Sequence, residues 1–178
     1  MKDQAINTEH ITLSELVTAQ VESIKEKLIQ TIALIKQDEI NRTPFEGSWT
    51  AGQVGEHINL SVSGMIKTLS APVNVTEREP DRYVKGIKDM FLNFNLKFSA
   101  APGITPTDKH QDKETLINTL TNTFKGFINI VRAEDLTGTF PGVEFPGMGP
   151  LTRLEWVYLT IYHTQRHIHQ LKEMKKFF

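Results

Sequence analysis

The chain has 178 residues, 39% of them hydrophobic, which is enough for one domain with a real core. Its formal net charge is −1, and Lys and Arg are scattered along it, which argues against a binding surface for nucleic acid or an anionic membrane. The absence of cysteine excludes disulfides, thiolate metal sites and a cysteine nucleophile, so any thiol chemistry would need a thiol from outside.

The first ten residues, 1–10, are polar and lack the apolar centre of a signal peptide. No apolar run in the chain is long enough to cross a membrane. We therefore expect a cytoplasmic protein with neither nucleic-acid nor membrane partners, organised as a single domain over residues 1–178.

Eight prolines divide the chain and leave four long windows, each with the apolar spacing of a bundle helix. The first predicted helix covers residues 14–38. The second covers residues 50–69, and Thr50 and Gln53 at its start have the spacing of a capping box, in which each side chain hydrogen-bonds the other's backbone.

The third and fourth long helices are also marked by polar residues at their starts. The third is predicted over residues 113–133, with Asp112 as its N-cap. The fourth is predicted over residues 151–175, where Thr152 and Glu155 repeat the capping-box spacing.

The connections between these helices carry weaker patterns. Within residues 70–111 we expect a short helix in 80–93 and a strand-like alternation of Phe94, Leu96 and Phe98. A connection of about forty residues exceeds the usual link between antiparallel neighbours, so it predicts a long crossover that leaves the second and third helices parallel.

A second connection, residues 136–150, is rich in Gly and Pro and is predicted to be a loop. Brief strand pairing is expected at Thr139, Val143 and Phe145. Its length and its place at one end of the bundle suit a rim over a pocket.

The last helix carries the densest group of metal-ligand side chains. His163 and His167 are four residues apart, which puts both imidazoles on one side of the helix, toward its apolar face. A divalent ion needs a third ligand, and His10, His57 and His110 are the candidates. His57 borders the apolar stripe of the second helix, whereas His10 and His110 lie in polar surroundings and are predicted to be surface residues.

Two alternatives bear on the histidine pair. Hydrogen-bonded core histidines without a metal would show the same spacing. A metalloprotease H-E-x-x-H motif is excluded, because Thr164 follows His163 where the motif needs the glutamate that acts as general base.

The stretches GSWTAGQVGEHI and YHTQRHIHQLKEM together resemble the DinB/YfiT-like superfamily of metal-binding bundles, and FSAAPGITP is similar to the segment before the third helix in that superfamily. The resemblance spans nearly the whole chain. It implies an all-α four-helix bundle with a long crossover between helices 2 and 3. It also implies a metal site of His57, His163 and His167 with open positions for water or substrate, and a packing role for Trp49 near the bundle end.

The chain departs from the family pattern at one place. Many members carry an acidic residue one turn after the second-helix histidine, whereas residues 59–61 here are Asn, Leu and Ser. The general base and any other catalytic residue are therefore left unassigned. Gln53, one turn before His57, could reach the ion or its water, or could serve only as a helix cap.

The activity implied by the resemblance is that of the superfamily's bacillithiol S-transferases: a divalent metal activates a low-molecular-weight thiol that attacks an electrophilic substrate. Zinc, nickel, iron or manganese could be held by three imidazoles. The alternatives are a metal-dependent amide or ester hydrolase, and a non-enzymatic metal-binding or stress-response bundle. Apolar residues on the first and third helices are compatible with a homodimer, though no feature demands one.

Overall fold

The computed structural model describes residues 12–178, so the prediction for His10 lies outside the described residues. The helices are Leu13–Ala33 (α1), Ala51–Leu69 (α2), Val84–Phe91 (α3), Lys113–Ala133 (α4) and Arg153–Met174 (α5), followed by a 3-10 turn at Lys175–Phe177. Within 12–178 the chain forms no strand and only isolated β-bridges. The fold is all-α, and none of the described helices is long and apolar enough to cross a bilayer.

Three of the helices begin where their capping residues predict. At α2, the Thr50 hydroxyl accepts a hydrogen bond from the backbone N–H of Gln53, and the Gln53 side chain accepts one from the N–H of Thr50. Thr152 and Glu155 form the same box at α5, and Asp112 caps α4. These side chains satisfy N–H groups that have no partner inside the helix, which fixes the first turns.

The four long helices form a closed ring in which α1 and α2 each pack against both α4 and α5. The hydroxyl of Ser14, at the start of α1, donates to the carbonyl of Val131 at the end of α4, so these helices are antiparallel. Gln20 on α1 donates to the hydroxyl of Tyr158 on α5, and both lie near the starts of their helices. Helices α1 and α5 are therefore parallel.

Helices α2 and α4 are the second parallel pair. Gly55 near the start of α2 faces Leu116 near the start of α4, and Gly126 further along α4 faces Ile66. The predicted parallel arrangement across the long crossover is thus confirmed. Since α4 runs against α1, the order of directions is up, down, down, up.

The interior of the ring is filled by aliphatic residues and two phenylalanines. Residues with less than 2% exposure include Leu28, Ile32, Ile58, Leu120, Phe124 and Phe127. They come from α1, α2 and α4, and together with Leu154 and Leu171 of α5 they form one continuous cluster. Burial of this apolar surface is the main term that stabilises the bundle.

A buried carboxylate ties the crossover to the start of α5. Glu155 has no exposed surface, and its oxygens accept hydrogen bonds from both terminal nitrogens of Arg78, at 2.8 and 2.6 Å. The same carboxylate accepts from the backbone N–H groups of Tyr83 and Thr152. The charge is therefore fully paired, and α3, which packs on α5, begins from a fixed position.

The first helix ends earlier than predicted, at Ala33 rather than near residue 38. Ile35 and Ile40 remain buried beyond the helix end, which explains why the apolar pattern continues. The carbonyl of Ile35 accepts a hydrogen bond from the ammonium of Lys113 on α4, at 3.0 Å. A contact distant in sequence therefore holds the chain in a turn here.

The predicted alternation at 94–98 does not form a strand. Instead, the guanidinium of Arg166 on α5 donates to the carbonyls of Phe91, Asn93 and Leu96. These carbonyls find a side-chain partner on α5, so the segment wraps against that helix and is not paired with another strand.

The loop 136–150 is only partly as predicted. Thr139 forms isolated bridges with Asn74 and Thr152, and Phe145 pairs with Gly149 inside the loop. Thr152 caps the start of α5, whereas His163 lies at the middle of that helix and His167 lies one turn further on. The loop therefore packs at the start of α5 and is not a rim over the histidines.

Candidate metal centre

Three histidines from α2 and α5 converge at one point of the bundle. His57 lies in the second turn of α2, while His163 and His167 lie one turn apart on α5, which packs against α2. The Nε2 atom of His163 is 3.0 Å from the Nε2 of His57 and 3.0 Å from the Nε2 of His167. All three ligand atoms lie within 4.8 Å of one another. His57 and His167 are buried, and His163 is partly exposed.

Hydrogen bonds at the opposite ring nitrogens set the orientation of two of these imidazoles. Nδ1 of His57 is 2.6 Å from the carbonyl oxygen of Ile104, and Nδ1 of His167 is 2.8 Å from Oε1 of Gln170. Both partners are acceptors, so each Nδ1 carries the hydrogen. The Nε2 atoms of His57 and His167 then present lone pairs toward the centre.

The segment that supplies the Ile104 carbonyl is anchored to the first turns of α2. The Glu56 carboxylate accepts hydrogen bonds from the backbone N–H and the hydroxyl of Thr107, both at 3.0 Å. Gln53 donates from Nε2 to the carbonyl of Thr107 and to Asp108. Gln53 therefore caps α2 and holds this loop, and its side chain is committed to these partners.

All three imidazoles are held in the neutral form. Burial lowers the pKa of His57, and the Ile104 carbonyl opposes this only in part. Burial, together with the neighbouring imidazoles of His167 and His57, holds the pKa of His163 well below its usual value. Burial lowers the pKa of His167 to about 4. Neutral imidazoles are the form that binds metal ions, so no proton has to leave before binding at neutral pH.

The donor set fits a divalent cation better than it fits a hydrogen-bonded core. His57 and His167 both direct lone pairs at the Nε2 of His163, which carries at most one hydrogen in its neutral form. One hydrogen cannot satisfy two acceptors well. A cation between the three nitrogens would accept all three lone pairs, and imidazole suits zinc, nickel, iron and related ions.

The surroundings of the three rings are aromatic and cationic. The Trp49 ring lies 5.0 Å from that of His57, and the Phe91 ring lies edge-on to His163 at 5.9 Å between centroids. The positive charge of Arg166 further lowers the pKa of His163 and His167. Among residues 12–178, no carboxylate hydrogen-bonds any of the three rings, and Glu56 is turned to Thr107 and Gln111.

The remaining described histidines stand apart from this cluster. His110 is exposed, as predicted, and hydrogen-bonds Asn41, while His169 stacks on Phe94 with 3.8 Å between ring centroids. Sequence reasoning missed the Ile104 carbonyl, which has no side-chain signal. It also missed the orienting role of Gln170, which its position three residues after His167 could have indicated.

Comparison with solved structures finds two similar folds. The four-helix bundle protein TT2238 is 17% identical with a TM-score of 0.56, over 90% of this chain and 98% of that one. YfiT from Bacillus subtilis, described as a probable metal-dependent hydrolase with an unusual four-helix bundle topology, is 15% identical with a TM-score of 0.59, over 99% of this chain and 91% of its own. Comparison with curated proteins finds no significant match.

The family is identified at the level of sequence. A sequence profile of the DinB superfamily matches residues 20–171, which include all of α2 and α4, most of α1 and α5, and all three convergent histidines. The two solved structures agree with this at the level of the fold. The chain belongs to the DinB superfamily.

Proposed function

We propose that this protein is a divalent-metal-dependent enzyme whose metal ligands are His57, His163 and His167. The observation that carries the proposal is the convergence of three neutral imidazole Nε2 atoms within 4.8 Å, two of them aimed by hydrogen bonds at Nδ1. Three protein ligands leave coordination positions open, as catalytic sites require. A divalent metal bound there would supply Lewis-acid activation of a nucleophile.

The preferred reaction is transfer of a small thiol to an electrophile. Among the described residues no carboxylate hydrogen-bonds the three rings, so this chain offers no evident general base. A thiol has an unperturbed pKa near 8.5 and needs less help to ionise than water does. The side chains of Trp49 and Phe91 would pack against the carbon skeleton of thiol or electrophile. Because the chain has no cysteine, the thiol would be a co-substrate.

Metal-dependent hydrolysis of an amide or ester is the second candidate. The description of YfiT as a probable metal-dependent hydrolase favours it, since that protein shares the fold. Hydrolysis needs an additional proton acceptor at the site, because a protein group or a second water would have to take a proton from the attacking water.

Metal content tests the ligand assignment. The full chain, purified without a histidine tag, is expected to carry about one equivalent of a divalent metal, since three imidazoles form one site. His57→Ala, His163→Ala and His167→Ala are each expected to lose most of it, while His169→Ala on the same helix retains it. A wild type without stoichiometric metal after reconstitution would leave a non-enzymatic bundle as the better description.

Substrate assays then separate the two reactions. The metal-loaded protein is mixed with small thiols and a generic electrophile such as monochlorobimane, and separately with nitrophenyl esters in the absence of thiol. Thiol-dependent conjugation that disappears in His163→Ala supports the transferase. Ester hydrolysis that needs no thiol supports the hydrolase instead, and either activity is contradicted as metal-dependent if it survives removal of the metal.

A further inference from the structure

A cavity of about 660 Å³ lies on a different side of α5 from the three histidines. Its floor is α5, one wall is α1, and the other wall is α3 with the segment that follows it. None of the three convergent histidines lines it. This volume is within the range typical of small-molecule sites, about 300–1,000 Å³. We refer to it as the lysine groove, after Lys27, Lys88 and Lys172.

The charge of the lysine groove is of one sign. Lys27 comes from α1, Lys88 from α3 and Lys172 from α5, and no Asp or Glu is among the lining residues. Within residues 12–178 none of the three forms a salt bridge. Three separate helices thus each contribute a lysine to the lining of one cavity, in a protein whose net charge is only −1.

The acidic residues next to Lys88 and Lys172 are already paired, whereas Glu26, next to Lys27 on α1, forms no salt bridge among the described residues and does not line the groove. On α3, Asp89 binds the ammonium of Lys85 at 2.5 Å, and on α5, Glu173 binds that of Lys176 at 2.7 Å. The carboxylates of α3 and α5 beside the groove are therefore engaged by lysines outside it. A lining with three lysines and no Asp or Glu favours the binding of anions from solution.

The rest of the lining is apolar or aromatic. Phe94 stacks on His169 with an angle of 16° between the rings, and the pair offers a flat surface. Ile24 and Ile168 add aliphatic surface, and Tyr162 adds a phenol ring with a hydroxyl group. The groove therefore combines cations with a surface suited to a flat apolar group.

We propose that the lysine groove binds a small organic anion, with a carboxylate, sulfonate or phosphate near Lys27, Lys88 and Lys172 and a flat apolar body against Phe94 and His169. The cavity, the three unpaired ammonium groups and the stacked rings carry this assignment together. It does not depend on the metal site, because the two sites share no lining residue.

The test uses 1-anilinonaphthalene-8-sulfonate, which joins a sulfonate to a flat apolar body, titrated by fluorescence into the full chain. Lys27→Gln, Lys88→Gln and Lys172→Gln are each expected to weaken binding about two- to fivefold, the range for exposed charge pairs. The triple Gln variant should weaken it about eightfold or more if the three contributions add in free energy. The triple Arg variant keeps the charges and is expected to bind like wild type.

Two controls make the result specific. Lys125→Gln removes an exposed lysine charge on α4, outside the groove and in no salt bridge among the described residues, and is expected to leave binding unchanged. N-phenyl-1-naphthylamine, the neutral counterpart of the probe, should bind the triple Gln variant and wild type alike. Thermal melting shows that each variant is folded. The proposal is overturned by unchanged affinity in the triple Gln variant, or by a loss in Lys125→Gln equal to that in the single groove variants.

Discussion

The rings of His57 and His167 are held by partners of different kinds. His57 is held through a backbone carbonyl, that of Ile104, which no side-chain substitution removes. His167 is held through the side chain of Gln170, on the same helix. The first contact depends on the position of a loop, and the second depends on one amide group.

Gln170→Leu is expected to weaken metal binding at the proposed site about 10- to 100-fold, the usual effect of losing such an orienting partner. The substitution removes the acceptor at Nδ1 of His167, so the imidazole can rotate or take the other tautomer. Affinity is measured by competition with a chromogenic chelator. Gln165→Leu, at an exposed position of the same helix, is the control. Equal affinities for the two variants and wild type would contradict the orienting role.

Sequence reasoning found the three histidines but only part of their support. The i,i+4 spacing on a capped helix is enough to place His163 and His167 together. The apolar stripe of the second helix favoured His57 as the third ligand, and the resemblance implied the same residue. The Ile104 carbonyl belongs to a segment without periodicity, whose position depends on Glu56 and Thr107. Backbone acceptors leave no trace in residue type, so such a contact has to be seen in the structure.

At the scale of elements, the close approach of α2 and α4 depends on glycine. A Cβ atom at Gly55 would lie 2.6 Å from Cδ2 of Leu116, which is buried, whereas a Cβ at Gly64 would meet nothing within 4 Å. The two positions are on the same helix. Alanine at each position therefore has the same advantage in helix propensity, and the difference in stability between the two variants reports the cost of packing.

Gly55→Ala is expected to lower the free energy of unfolding by about 1–3 kcal/mol, because Leu116 must move within a packed interior. Gly64→Ala is expected to be neutral or to stabilise by up to about 1 kcal/mol, since alanine favours the helix and the position is open. Urea denaturation of both variants measures the difference. Stabilisation by Gly55→Ala would mean that α2 and α4 are less tightly packed than described.

The helices were predictable where local signals define them and less so where distant contacts do. Thr50, Asp112 and Thr152 mark helix starts because capping is a local interaction. The end of α1 carries no Gly or Pro, and its turn is fixed by Lys113 from another helix. The aromatic alternation at 94–98 reflects wrapping against Arg166, which a period of two cannot distinguish from a strand.

At the scale of the whole molecule, the three neutral imidazoles make the metal-free protein sensitive to mild acid. Their pKa values are lowered in the folded state, that of His167 to about 4, whereas an unfolded histidine titrates near 6.5. Between these values the unfolded chain binds more protons than the folded one. Stability is therefore complete above about pH 6.5 and is lost as the pH falls toward 4.

Between pH 7 and pH 5 the metal-free protein is expected to lose about 2 kcal/mol of unfolding free energy or more, measured by urea denaturation with a chelator present. The carboxylates with lowered pKa, such as Asp112 and Asp135, stay ionised in this interval and do not contribute. His167→Leu should flatten the dependence, and His169→Leu should not. Equal stability of wild type at the two pH values would show that the imidazoles are not held neutral.

The ring arrangement also bears on how the chain folds. Long helices that are neighbours in sequence lie opposite each other in the ring: α1 is opposite α2, and α4 is opposite α5. Within the described residues, α1 and α2 each pack closely on α4 and on α5. No early hairpin of two long helices can bury its apolar face. A nascent chain must keep α1 and α2 uncovered until residues beyond Lys113 have been synthesised, so we expect slower folding than for an up-and-down bundle of similar size.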